Sequence, residues 1–210
     1  MAKAGLFAVM DFSAVPEDEF NDWYDTEHLP ERQRVAGFIT CERWIGADNP
    51  KISVGSYDLD STGVLSGPAY KAISGENASP WSKRVAGKCK RMMRAYGDQV
   101  IPGGQLTPPN AGGFLINALN IAPEHEAEFN EWCAKEHLPN LAAVPGTLSA
   151  RLFRSAEGSH RYMTVYHLAS PEVQSTPEWK KAAGTPWTAK MLPRFTDRLR
   201  VVCRRYTRAQ

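Results

Sequence analysis

The chain has 210 residues, 42% hydrophobic and 23% charged, with a formal charge of +2. That length holds one large domain or two small ones, and so small a charge argues against a nucleic-acid or membrane partner. No apolar run approaches the ~20 residues that span a bilayer, and MAKAGLFAVMDF lacks the apolar core and cleavage site of a signal peptide. Cys41, Cys89, Cys133 and Cys203 form no CxxC pair, so buried thiols in a reducing, cytoplasmic setting are expected.

In chain order, GLFAVMDF is an apolar strand. Pro16 marks a helix start, and the acids behind it suit both the missing proline N–H and the helix dipole. Apolar residues at 20, 23 and 24 keep helical spacing, and Pro30 should end or kink the helix. After Gly37, FITCERW alternates as a half-buried strand does, and ISVGSYDL is another strand. A second helical stretch ends near Pro80-Trp81, and KRMMRAY closes the unit as a strand. The Lys/Arg clusters at Lys83–Arg94 and Arg194–Arg208 read as basic outer faces of half-buried strands, with a phosphate-binding stripe as the rival reading.

The connector IPGGQLTPPNAGG, residues 101–113, is rich in Pro and Gly and has no period. Beyond it the order repeats: strand GFLINALNI, a helix from Pro123 with apolar residues at 129, 132 and 133, Pro139, Gly146, strands TLSARLFR and YMTVYHL, a helical stretch to Pro186-Trp187, and strand RLRVVCRRY. A shift of 109 positions sets Phe129 on Phe20, Trp132 on Trp23, Glu136 on Glu27, His137 on His28, Pro139 on Pro30 and Tyr166 on Tyr57. Such dense matching reads as a duplicated domain: a first repeat over 1–98, a connector over 99–112 and a second repeat over 113–210. Each is β-α-β-β-α-β, an α+β, ferredoxin-like unit whose antiparallel sheet carries both helices on one face and needs a cover on the other. The second repeat supplies that cover, sheet to sheet. A unit of ~95 residues is marginal alone, so stability explains part of the duplication.

The elements FNDWYDTEHLPE and FNEWCAKEHLPN, each followed by a glycine that opens a strand, resemble the dimeric α+β-barrel superfamily, and within it the EthD-like branch in tandem-fused form. Ala36 departs from the pattern that Pro145 keeps. The resemblance implies an intrachain barrel and spans a wide range of activities. These include cofactor-free oxygenases on polyketide-like aromatics, muconolactone isomerases, tautomerases and dehydratases, and haem-dependent dye peroxidases.

The residues add candidates. On a helical wheel Glu27 returns to within about 20° of Phe20, which puts a carboxylate on the inward stripe, and Glu136 repeats this against Phe129. A buried carboxylate must be paired, bonded or facing a wet cavity. His28 and His137 suit a proton shuttle near neutrality, yet so close to a helix-ending proline they also suit the capping of freed carbonyls. Trp23, Trp132, Trp81 and Trp187 pack a core or wall an apolar pocket between sheet and helices. Tyr57 and Tyr166 could point hydroxyls into that pocket. Arg43 and Arg151 could meet an oxyanion or face solvent, although gapless counting puts Glu42, not Arg43, opposite Arg151. Cys133, one turn from His137, is read as packing. No phosphate loop, HExxH, metal cluster or Gly-x-Ser-x-Gly elbow is present.

The expected function is a small cofactor-independent enzyme on an aromatic, lactone or polyketide-like compound. It would move protons in isomerase, cyclase, dehydratase or lyase fashion, with His28 or His137 as shuttle, Glu27 or Glu136 orienting it, and a Tyr or Arg steadying the oxyanion. The alternative is a non-catalytic small-molecule-binding or stress-related protein in which EHLP only shapes the turn. A third reading is haem binding. The expected partner is a small apolar or aromatic molecule, with no metal or cofactor and with room for a homodimer.

Overall fold

A computed structural model describes residues 1–208. The first half runs β1 (Ala4–Asp11), α1 (Glu17–Trp23), α2 (Leu29–Gln33), β2 (Phe38–Gly46), β3 (Ile52–Leu59), α3 (Pro68–Lys71), α4 (Pro80–Lys88) and β4 (Lys90–Ile101). The second runs β5 (Gly113–Ile121), α5 (Pro123–Trp132), α6 (Leu138–Ala142), β6 (Thr147–Gly158), β7 (Tyr162–Leu168), α7 (Pro177–Ala183), α8 (Pro186–Met191) and β8 (Phe195–Arg205). Gly37 and Gly146, at φ +95° and +88°, make the sharp entries to β2 and β6, where a side chain would be strained.

The eight strands close in the order β1-β3-β2-β8-β5-β7-β6-β4, and β4 pairs back onto β1, all antiparallel. The barrel is thus two ferredoxin-like sheets joined at their edges, so closure leaves neither sheet a free edge. The joints are unequal. β4 and β6 pair from Ala95↔Gly158 to Ile101↔Leu152, whereas β2 and β8 meet only from Trp44↔Arg205 to Gly46↔Cys203. The Arg205 guanidinium supports the short joint by pairing with Glu42 and lying 4.8 Å from the Trp44 ring.

Alternate strand residues point inward. Phe7, Val9, Trp44, Val54, Met93, Phe114, Ile116, Phe153, Met163 and Val165 fill the barrel. Among them lies an ion pair that no solvent reaches: Arg151 donates to Asp58 Oδ1 at 2.7 Å, with side chains 0% and 1% exposed. Asp58 Oδ2 also accepts from Thr107 N–H (2.6 Å), and Arg151 donates to the Gln105 carbonyl and Thr107 Oγ1. One buried cluster therefore fastens both halves and the connector.

Two expectations about the helices are corrected. The chain does not leave the helical conformation at Pro30 and Pro139. Residues Tyr24–His28 and Cys133–His137 form π-helical turns in which Leu29 N–H donates to Tyr24 O and Leu138 N–H to Cys133 O, five residues back. The wider turn sets each proline in the first turn of α2 or α6, where its missing N–H costs little. The Pro-Trp pairs likewise open helices instead of closing them. Pro80 and Pro186 lie in the first turns of α4 and α8, capped by the side chains of Ser79 and Thr185.

Candidate functional site

Between the outer face of each half-sheet and its helices lies one pocket. The first-half pocket, about 240 Å³, has Leu6, Ala8, Met10, Trp23, His28 and Tyr57 in its lining. The second-half pocket, about 210 Å³, has Leu115, Leu119, Trp132, His137 and Trp179 in its lining, with Asn117 and Thr164 on the sheet side. Five of the candidate site residues thus line the pockets: Trp23, His28 and Tyr57 in one half, Trp132 and His137 in the other.

The imidazoles are walls of these pockets. His28 lies 4.5 Å from the Trp23 ring and 4.9 Å from Tyr24, and His137 stacks on Trp132 at 4.1 Å and 24°. Burial pushes the His137 pKa down to about 4. It pushes His28 well below its ordinary value, with the Arg32 and Arg43 charges adding to the shift. Both rings are neutral near neutrality and poor proton acceptors.

The glutamates do not orient the imidazoles. Glu27 Oε1 accepts from Ser79 Oγ (2.5 Å) and Ser82 Oγ (2.8 Å), and Ser82 Oγ accepts in turn from Trp23 Nε1 (2.9 Å). Glu136 accepts from Thr185 Oγ1 at 2.5 Å. Ser79 and Thr185 are the N-cap residues whose hydroxyls also accept from Ser82 N–H and Thr188 N–H. In both halves, therefore, the EHLP glutamate holds the cap of the last helix, α4 or α8, placing its charge at a helix N-terminus.

The tyrosines show how the halves have diverged. Tyr57 Oη meets Tyr24 Oη at 3.2 Å. The residue matching Tyr24 is Cys133, so Tyr166 Oη turns to His137 Nε2, at 2.9 Å, and does not line the pocket. Gly55 makes room for the extra hydroxyl, since a Cβ there would sit 2.4 Å from Tyr24 Oη. Thr164 is the residue matching Gly55 in the second half.

Four further predicted ligand contacts, besides Tyr166, lie elsewhere. Arg43 is buried, not solvent-facing. It bonds Asp25 and Asn21 and lies 3.7 Å from the Tyr206 ring. Arg151 is inside the barrel, on the opposite face of the sheet from the pocket. Trp81 packs beside Phe12, Phe20 and Trp23, and Trp187 donates to Glu128 at 3.2 Å. The register confirms the gapless count: Glu42 faces Ser56 and Arg151 faces Val165, 109 positions apart on both strands, so Arg43 and Arg151 were never equivalent.

Residues that the sequence reading missed supply the pocket rims. Arg94 pairs with Ala8 and Arg200 with Asn117, which makes the two arginines topological equivalents. Arg91 and Arg94 line the first pocket, Arg198 and Arg200 the second. The basic clusters of the last strands were the signal. Among the described residues, no group of three His, Cys, Asp or Glu is placed to hold a metal. Among those residues, too, no helix is long and apolar enough to cross a membrane.

A family described as a domain of unknown function (DUF4286) matches residues 115–206, under half of the chain. No curated protein matches significantly. Among solved structures, an anthrone oxidase-like protein gives a TM-score of 0.64 at 13% identity, covering 98% of this chain and 92% of its own. A Fusobacterium nucleatum protein named as a monooxygenase gives 0.61 at 11% identity, covering 99% and 94%. A mutant chlorite dismutase from Candidatus Nitrospira defluvii gives 0.61 at 11% identity, covering 98% and 92%. The ferredoxin-like, barrel-forming fold is shared with these proteins. Their names are those of oxidoreductases, which overturns the expectation of cofactor-independent isomerase, cyclase, dehydratase or lyase chemistry.

A haem does not fit either pocket. Both are smaller than the roughly 300–1,000 Å³ that drug-sized ligands occupy. An axial ligand also needs a free ring nitrogen. His137 has none, because Tyr166 engages Nε2 and protein encloses Nδ1, whereas His28 has only its Nδ1 enclosed, so in the first pocket size alone excludes a haem.

Proposed function

We propose that the chain is a small-molecule-binding barrel with one apolar, single-ring-sized pocket per half, in which the EHLP elements are architecture. The observation that carries this reading is the repeated bond from the EHLP glutamate to the hydroxyl capping α4 or α8. It commits the carboxylate to holding the pocket's walls together and leaves a Trp–His pair as its lining. We assign the chain to the EthD-like branch on its doubled FNxW…EHLP element, and to the cytoplasm, a setting that its four free cysteines favour.

Phenol, a neutral single ring, is the simplest probe. Titrated into ¹⁵N-labelled protein, it should shift the indole N–H signals of Trp23 and Trp132 saturably, the signals being assigned by W23F and W132F. Glu27→Gln and Glu136→Gln should lower the unfolding midpoint. Absence of any saturable shift at both indoles would remove the binding reading.

A further inference from the structure

The first-half pocket carries an unusual charge pattern over an apolar floor. Leu6, Ala8, Met10 and Trp23 form the floor, while Arg32, Lys83, Arg91 and Arg94 stand around it, and no carboxylate lines it. Arg32 is paired with Glu31 at 2.7 Å. Lys83, Arg91 and Arg94 form no ion pair among the described residues, and Arg94 has only the Tyr70 hydroxyl, at 3.2 Å. Three uncompensated cations on one rim repel one another, and an anion among them would relieve that repulsion.

We infer that this pocket binds a small aromatic carboxylate, its ring on the floor beside Trp23 and its carboxylate at the rim with Arg94 and Arg91. This inference rests on the small-molecule-binding reading and specifies its ligand class. The planar guanidinium fork matches a carboxylate bidentately. A volume of about 240 Å³ with an apolar floor suits one ring. The second-half pocket has Arg198 and the equivalent Arg200, the latter engaged by Gln174, so the first pocket, with three such cations, is the stronger anion site.

Benzoate, phenol and inorganic phosphate, each titrated near neutral pH with the Trp23 indole N–H as the readout, test this. Benzoate should bind at least about tenfold tighter than phenol, and phosphate should give no saturable shift at Trp23. Arg94→Met should weaken benzoate about tenfold or more and leave phenol unchanged. Arg94→Lys should recover part of the loss. Should Arg94→Met fail to fold, Arg91→Met gives the same comparison at the exposed end of the rim. Equal affinity for phenol and benzoate would overturn the carboxylate and leave the pocket standing. Phosphate binding as well as benzoate would overturn the aromatic component. If neither ring compound shifts Trp23 the inference falls, and the binding reading falls with it only if Trp132 is silent as well.

Discussion

Gly55 offers the most direct test of how the first pocket is built. Its backbone is ordinary strand, so alanine would be free of conformational strain. Space is the constraint. A Cβ at Gly55 would stand 2.4 Å from Tyr24 Oη, 2.8 Å from Tyr57 Oη and 3.0 Å from Tyr57 Cε2. Neither ring can swing aside, because Tyr24 is 0% and Tyr57 3% exposed and their hydroxyls are hydrogen-bonded. Overpacking of this kind costs about 1–3 kcal/mol, reduced by the ~0.5–1 kcal/mol that alanine gains over glycine in a strand. For a chain of this size, 1 kcal/mol moves Tm by about 2–4 °C. Tyr24→Phe removes the closest atom, so Gly55→Ala should cost less than about 1 kcal/mol in that background. Urea denaturation of both single variants and the double would measure the coupling. Strict additivity of Gly55→Ala with Tyr24→Phe would refute the packing argument.

Three further outcomes are expected. Glu27→Ala should lose about 2–3 kcal/mol and Glu136→Ala about half of that in urea melts, because Glu27 accepts from two hydroxyls and Glu136 from one. Burial depresses the pKa of His28, His137 and His167, so their protons bind preferentially to the unfolded chain. Stability is then complete above the unfolded value of ~6.5 and falls as pH drops towards about 4, by about 1.4 kcal/mol per unit for each histidine. Urea midpoints at successive pH values should show this slope, and His137→Gln should make it shallower. Arg151→Met should cost about 3–5 kcal/mol by leaving Asp58 buried without its cation, while Asp58→Leu/Arg151→Met should recover much of that loss.

The duplication and the β-α-β-β-α-β order were legible because strand alternation, helix spacing and a 109-residue repeat are properties of the residues themselves. So was the convergence of Trp23 with His28 and of Trp132 with His137. The course of the chain at Pro30 and Pro139 was not, because a π turn leaves no mark in hydrophobic periodicity and its five-residue bonds accommodate the proline. The partner of Glu27 was hidden for another reason. Ser79 lies 52 positions away, and only the repeated pattern of Ser-Pro-Trp-Ser and Thr-Pro-Trp-Thr hints at a cap. For Arg43 the strand register decided the matter, and one residue of uncertainty moves a side chain from one face of a sheet to the other. The rim arginines were visible as basic clusters but could not be assigned to a pocket until β4 and β8 had neighbours.

The buried ion pair should also bias self-recognition. Position 42 in the first half matches 151 in the second, and 58 matches 167. A first half assembled with its own copy would bring Asp58 towards Glu42, acid against acid. A second half with its own copy would bring His167 towards Arg151. Only unlike halves set Asp58 against Arg151. A chain nicked in the connector and refolded should therefore give one-to-one complexes by native mass spectrometry and no like pairs. A mixture of like and unlike pairs would show the charges to be silent. The barrel of two similar sheets is, by this pair, a heterodimer that happens to share one backbone.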